Sequence, residues 1–420
     1  MKKALVAVLL LLILLPLMAQ DERISYDSEY MLDNYFSKET DWGFSDEQLD
    51  RINISIFYVT GGDILYQWFG HMGILVESPD FEPILFDYGR FEFGPDFYIN
   101  FAMGRLWYKC MGSYASYQMA VAEESDRSVY TTRLNLSREE KSAVLGFLNI
   151  NSSSEFNTYL YHNYRDNCST RVRDIFDRLT DGQFKQWALS QSGYTYRQRA
   201  NMVISRNLIV LWVLDFLQGR NIDKSETLWE NMFLPVDFFE SVSNYPDSAL
   251  TGNVQCLYEA KNPSSRPADR SEPLNYVLPS LAAGIILGLV FFLLLSLRHK
   301  SKLLSFTCSF YGFTVNLIFA VISLVLFFMM FFTLHDYTYL NENILFANPV
   351  LFLAAAFSLK PQKHKKGLTV IYSFLLGAAI ILILLKLILP SVFIQDNWPQ
   401  LALLGSFYIL SLAGLGKVRK

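Results

Sequence analysis

From Tyr276 onward the chain is a series of apolar stretches, at 276–297, 306–332, 344–359, 368–390 and 400–416. A segment in hydrocarbon must satisfy its own backbone N–H and C=O groups, so each stretch is expected to be helical. A helix needs about 20 residues to cross a bilayer, so the third stretch is expected to be tilted or locally broken. The loops Arg298-His299-Lys300-Ser301-Lys302, Lys360 to Lys366 and Lys417 to Lys420 are basic, whereas His335 to Asn343 and Gln395 to Gln400 are not. Basic loops stay on the cytoplasmic side, which puts everything before the first span outside.

The chain has 420 residues, which leaves room for an aqueous domain ahead of these spans. Met1 to Ala19 has the basic start and short apolar core of a secretory signal. Leu17 is a poor residue three positions before a cut after Ala19, so an uncleaved anchor is the alternative. The expected organisation is a signal peptide at 1–19, an exported domain at 20–260, a linker at 261–275 and a transmembrane domain at 276–420. Pro263 to Pro273, rich in proline, serine and charge, carries the linker assignment. A net charge of -4 with no basic cluster outside short loops argues against a nucleic-acid partner. An exported domain can form disulfides. Cys110 with Cys256 is one candidate pair, and Cys168 as half of a bridge is the inert alternative.

Within the exported part, Ile52 to Val59 alternates at period two and is expected to be a strand. Gly73 to Val76 and Ile84 to Tyr88 are expected to form two more, joined by a turn at Ser78-Pro79-Asp80. Leu106 to Met111 and Tyr114 to Val121 are expected as a hairpin turning at Gly112-Ser113. Ser137 with Glu139 and Glu140 marks a helix start, and a second helix is expected from Asn167 to Leu179. Leu208 to Leu217 is apolar but too short to span, so it is either a buried helix or one lying on a membrane surface.

Chemistry concentrates at Asp166-Asn167-Cys168-Ser169-Thr170-Arg171. A cysteine opening a helix meets unpaired N–H groups and a partial positive charge, which favour thiolate. His71, in the apolar run Gly70 to Val76, is the expected base, and Asp87 on the next strand is the expected partner of its imidazole. Asp63 and Glu77 are weaker candidates for that partner, and His162 is the alternative base. Asn167 and Arg171 are candidate substrate contacts. Arg171 and Arg173 could meet a phosphate head group, although Arg173 could equally pair with Asp177. The polar loop carrying His335, Asn341, Asn343 and Asn348 enters a membrane segment, where polar side chains are costly and usually functional. No paired cysteines or His-Glu-x-x-His run suggest a metal, and no cofactor motif stands out.

These residues resemble the Lnb family of lipoprotein N-acyltransferases, which joins a periplasmic domain to a five-helix membrane domain. The likeness is carried by Asp63, Gly70-His71, Asp87-Tyr88-Gly89, Gly104, the Asp166 to Arg171 core, Met232-Phe233-Leu234-Pro235, and Asn341 to Asn348-Pro349. More remotely, the periplasmic part resembles circularly permuted NlpC-type, papain-like thiol enzymes, in which histidine also precedes cysteine. The implied fold class is α+β, a permuted papain-like domain followed by an all-α bundle. The implied roles are nucleophile for Cys168 and base for His71, with the third member left open. The implied function is acyl transfer at the outer face of the inner membrane. A membrane phospholipid would be the donor and a diacylglyceryl apolipoprotein the acceptor. The alternatives are a membrane-tethered cell-wall peptidase or amidase and a non-enzymatic envelope scaffold.

Overall fold

The computed structural model describes residues 25–91, 94–246, 249–262 and 270–418. The expected signal peptide and residues 263–269 of the expected linker lie outside the described residues. The described chain divides into two units. One runs to Gly193 and resumes at Thr227, and the other takes Tyr194–Glu226 and the residues from 270 on.

The first unit is built on one antiparallel sheet. Its strands are β1 (Asn53–Val59), β2 (His71–Ser78), β3 (Phe81–Arg90), β4 (Trp107–Tyr114), β5 (Val129–Leu134), β6 (Thr158–Leu160) and β7 (Thr251–Tyr258), in the spatial order β6-β4-β3-β2-β1-β5-β7. Alternation places Ile54, Ile56, Met72, Ile74 and Val76 on one face. There they pack against Val172, Ile175, Phe176 and Leu179, the buried stripe of helix Cys168–Leu179. Phe57, Val59, Leu75 and Leu85 point the other way, onto Ala115 and Ala122 of helix Ala115–Glu124. Helix Arg138–Asn151 begins at Ser137 with a reciprocal cap to Glu140, as its sequence predicts.

The expected hairpin at Gly112-Ser113 is not formed. β4 continues through both residues to Tyr114, paired with β3 from Ile84 to Asp87, and 115–124 is a helix. Gly112 is a packing position instead, since a Cβ there would sit 3.1 Å from the Phe86 ring. The Ala-, Glu- and Met-containing run that follows favours helix over strand.

All four cysteines are free. Cys110 lies in β4 and Cys256 in β7, five strand spacings apart in the sheet order, or roughly 24 Å. A disulfide needs Cα atoms within about 7 Å, so this pair cannot bridge.

The second unit is helical. Among the described residues, four of its helices are long and apolar enough to cross a membrane, at Val277–Lys300, Lys302–Phe332, Lys365–Ile388 and Trp398–Lys417. The third expected span contains only the eight-residue helix Leu351–Ser358, preceded by the 3-10 turns Asp336–Thr338 and Glu342–Leu345. The first and last long helices pack through bare glycines. A Cβ on Gly284 would fall 2.2 Å from Leu403 O, and one on Gly288 would fall 2.8 Å from Leu410 Cβ. Helix Leu208–Leu217 belongs to this unit, with Leu211, Asp215 and Phe216 buried and Trp212 near the Phe319 ring.

A candidate thiol active site

The chain enters β2 through Gly70, whose φ of +80° favours glycine, and His71 is the first residue of the strand. Asp87 lies on the neighbouring strand β3, opposite Gly73. His71 Nε2 bonds Asp87 Oδ1 at 2.8 Å, and an ionised carboxylate can only accept, so Nε2 carries the proton. The same oxygen accepts from Gly89 N at 2.6 Å, and Oδ2 accepts from Gln118 Nε2 at 2.9 Å. Arg90 Nε stands 2.9 Å from Oδ2 as an ion pair. Burial alone would raise the Asp87 pKa, but His71, Arg90 and the Gly89 N–H outweigh it and hold the carboxyl below its ordinary value. Gly89 must be bare, because a Cβ would lie 2.5 Å from His71 Cε1.

Cys168 opens helix Cys168–Leu179, and its N-cap is Asn167 in extended backbone. Asn167 Oδ1 accepts from Ser169 N at 2.8 Å and Thr170 N at 3.0 Å, and Thr170 Oγ1 accepts from Asn167 N at 2.8 Å. The cap is itself held from outside the helix. Asn167 Nδ2 donates to Asn163 O and Phe233 O, and Ser169 Oγ donates to Met232 O. The one first-turn N–H this cap does not use is that of Cys168, which has no hydrogen-bond partner among the described residues. An N–H so placed can face a developing oxyanion.

Cys168 is the second side-chain partner of His71. With Nε2 on Asp87, Nδ1 is the nitrogen available to the thiol. Burial disfavours the imidazolium, yet the charges of Asp87 and Cys168 outweigh it and the His71 pKa is pushed up to about 10. Tyr108, on β4, also feels the thiol. Burial first and the Cys168 charge second raise its hydroxyl to about 12, and its ring stacks on Tyr161 at 4.3 Å.

The structure thus brings Cys168, His71 and Asp87 together, and Asp87 rather than Asp63 or Glu77 is the carboxylate bonded to the imidazole. His162 caps a turn, with Nδ1 accepting from Tyr164 N and Arg165 N at 3.1 Å. Gln118 is missing from the expected site because its helix reads as a strand in sequence.

The other candidate contact residues are engaged within the fold. Asn167 is the cap just described. Arg171 is buried, with Nε and Nη2 on the two oxygens of Asp166, a further bond to Tyr26 O, and its guanidinium 3.8 Å above the Tyr159 ring. Its Nε and Nη2 hydrogens are thus taken within the fold. Arg173 pairs with Asp174 rather than Asp177 and lies over the Trp229 ring.

In the helical unit, Asn341 Nδ2 and Asn343 Nδ2 both donate to Phe216 O, at 3.0 and 2.9 Å, closing the end of helix Leu208–Leu217. Asn348 Oδ1 accepts from Val350 N, and buried His335 meets Tyr337 OH at 2.8 Å through Nδ1. These asparagine side chains hydrogen-bond backbone groups at the ends of turns and helices. Among the described residues no group of three or more metal-ligating side chains forms.

Residues 38–202 match the Lnb N-terminal periplasmic domain, and residues 271–412 match the Lnb transmembrane domain. No curated protein and no solved structure matches the chain.

Proposed function

The chain belongs to the Lnb family, and from that premise and the thiol geometry we propose that it is a lipoprotein N-acyltransferase of the inner membrane. It is a membrane protein with a periplasmic domain. The observation that carries the reading is His71 hydrogen-bonded to Asp87 through Nε2 and interacting with the side chain of Cys168, at a helix start whose first N–H is uncapped.

In the proposed first half-reaction, His71 Nδ1 holds the thiol proton and Cys168 Sγ attacks the ester carbonyl carbon of a phospholipid. The oxyanion of the tetrahedral intermediate faces the Cys168 N–H. Collapse breaks the ester C–O bond, the imidazolium returns its proton to the departing glycerol oxygen, and a lysophospholipid leaves behind a Cys168 thioester. In the second half, His71 takes a proton from the α-amino group of a diacylglyceryl-cysteine. The amine attacks the thioester carbon, the C–S bond breaks and an amide forms. A thioester suits an amine acceptor, because amines attack it more readily than they attack an oxygen ester. Asp87 keeps Nε2 protonated throughout, so that Nδ1 remains the exchanging nitrogen.

The test is mass spectrometry of a lipoprotein N-terminus from a strain without its own N-acylation, expressing this chain intact or as Cys168→Ala. One added acyl group with the intact chain and none with the variant is expected. No addition by the intact, membrane-inserted chain would remove the transferase reading and return the peptidase or scaffold alternatives.

A further inference from the structure

The end of the sheet that carries His71 also carries an apolar rim. β1 ends and β2 begins at the same edge where β3 ends and β4 begins. The β1–β2 and β3–β4 connections therefore flank His71 from two sides. The first presents Ile64, Leu65 and Tyr66 to solvent, with Tyr66 71% exposed, and the second presents Tyr98, Ile99 and Phe101, with Tyr98 76% exposed.

Neither tip is loose chain. In the first, Trp68 Nε1 donates to Asp63 O at 3.0 Å and Gly62 N donates to Gln67 O at 2.9 Å. In the second, Phe97 stacks on Phe91 at 5.6 Å, and Phe91 lies 5.1 Å from the Tyr108 ring. These contacts back each tip while its exposed side chains remain in contact with solvent.

We propose that these two tips insert into the phospholipid bilayer, so that the thiol end of the periplasmic domain engages the membrane surface directly. Three features of the molecule favour lipid as the occupant. The chain passes between the thiol unit and a unit with four bilayer-length helices at Gly193–Tyr194, returns at Glu226–Thr227, and passes again after β7, so the thiol unit is tethered to a unit suited to a bilayer. The exposed set mixes tyrosine with large apolar side chains, the composition found at the headgroup level of membranes. Both tips, finally, belong to the end of the sheet where His71 lies. The inference rests on the acyl-transfer reading only for its purpose, which is to bring a lipid ester to Cys168 without its crossing water.

The experiment uses the full chain in phosphatidylcholine–phosphatidylglycerol vesicles. In a Cys168→Ser, Cys256→Ser background, single cysteines replace Tyr66 or Ile99, each labelled with an environment-sensitive fluorophore, and Glu82→Cys serves as reference. Glu82 is exposed in the β2–β3 hairpin, at the opposite end of the sheet. Quenching by lipid-borne nitroxides is expected to be at least three-fold greater at 66 and 99 than at 82. Equal quenching at all three positions overturns the proposal, whether the tips are then free or covered by protein.

A second arm keeps Cys168 and compares the natural chain with Tyr66→Asp combined with Ile99→Asp. Acylation of Cys168 by vesicle phospholipid is expected to fall ten-fold or more, while alkylation of Cys168 by iodoacetamide stays within two-fold. Unchanged acylation overturns the proposal. If no chain is acylated but the tips are quenched, the transferase reading fails and the membrane contact stands.

Discussion

Asp87 in the periplasmic unit and Glu342 in the helical unit are both buried carboxylates held by a cation, and the two differ in what their partners have left over. Glu342 Oε2 lies 2.6 Å from Lys386 Nζ, and Lys386 also donates to Gln395 O at 2.6 Å and Phe393 O at 3.3 Å. Gln395 Oε1 accepts from Glu342 N at 2.6 Å, and Asn341 Oδ1 and Asn343 Oδ1 accept from Gln395 Nε2 and Asn397 Nδ2. Lys386 Nζ is thus held by two backbone carbonyls and paired with the Glu342 carboxylate, and the cluster ties the turn Glu342–Leu345 to the start of helix Trp398–Lys417. His71, by contrast, commits Nε2 to Asp87, keeps Nδ1 uncommitted to a carboxylate and has a thiol as its other side-chain partner. A buried polar group in apolar surroundings is therefore ambiguous in itself. Its remaining valence distinguishes a brace from a reactive site.

The largest effects should come from emptying that valence. Asp87→Asn keeps the shape but no longer fixes the imidazole tautomer, and it is expected to lower acyl transfer by about 10²–10⁴-fold. His71→Ala should cost at least as much and should also slow alkylation of Cys168 by iodoacetamide at pH 7. A His71→Ala chain that alkylates and transfers like the natural one would make the two clusters equivalent braces and end the contrast.

The helical cluster should respond in stability instead. Glu342→Gln leaves a buried ammonium without its counter-charge and should cost about 3–5 kcal/mol, whereas Glu342→Leu with Lys386→Met together should recover most of that loss. Thermal unfolding of the detergent-solubilised chain measures both. Acyl transfer per folded molecule should stay within a few-fold of the natural chain in the double variant. A drop of ten-fold or more at full stability would move this cluster from bracing to function.

The contrast also explains how far the sequence could be read. Strand alternation at 52–59, the Ser137 cap and the Cys168 helix are local signals, and each is found where its residues predict it. The expected hairpin at 112–113 fails because Gly112 serves a cross-strand neighbour, which a local pattern does not reveal. Arg171, Asn341 and Asn343 read as ligand-binding residues because their types suit ligands. Only the fold shows that Asp166, Tyr26 O and Phe216 O already take their hydrogens. The position of 194–226 within the helical unit was equally out of reach, since Leu208 to Leu217 is too short to announce a membrane neighbour.

The smallest expected effect is a pH limb that sharpens the same contrast. The His71 pKa is raised from 6.5 to about 10, so its interaction with Asp87 and Cys168 stabilises the folded periplasmic unit fully below about pH 6.5. That contribution is lost as pH rises through about 10. Asp87 is shifted downward, so its contribution is present above its unfolded pKa, near 3.8, and is lost as pH falls through its lower folded value. The unit should therefore be most stable between these limits. Asp87→Asn should lower its unfolding temperature by a few degrees, roughly 2–4 °C per kcal/mol at this size, near pH 7. The difference between variant and natural chain should shrink towards pH 10, where the imidazolium is being lost in both. Unfolding followed by near-ultraviolet circular dichroism at the two pH values gives the comparison. A gap that stays constant from pH 7 to pH 10 would mean that Asp87 holds a neutral imidazole by hydrogen bonding alone, and that the charge on His71 contributes nothing to the fold.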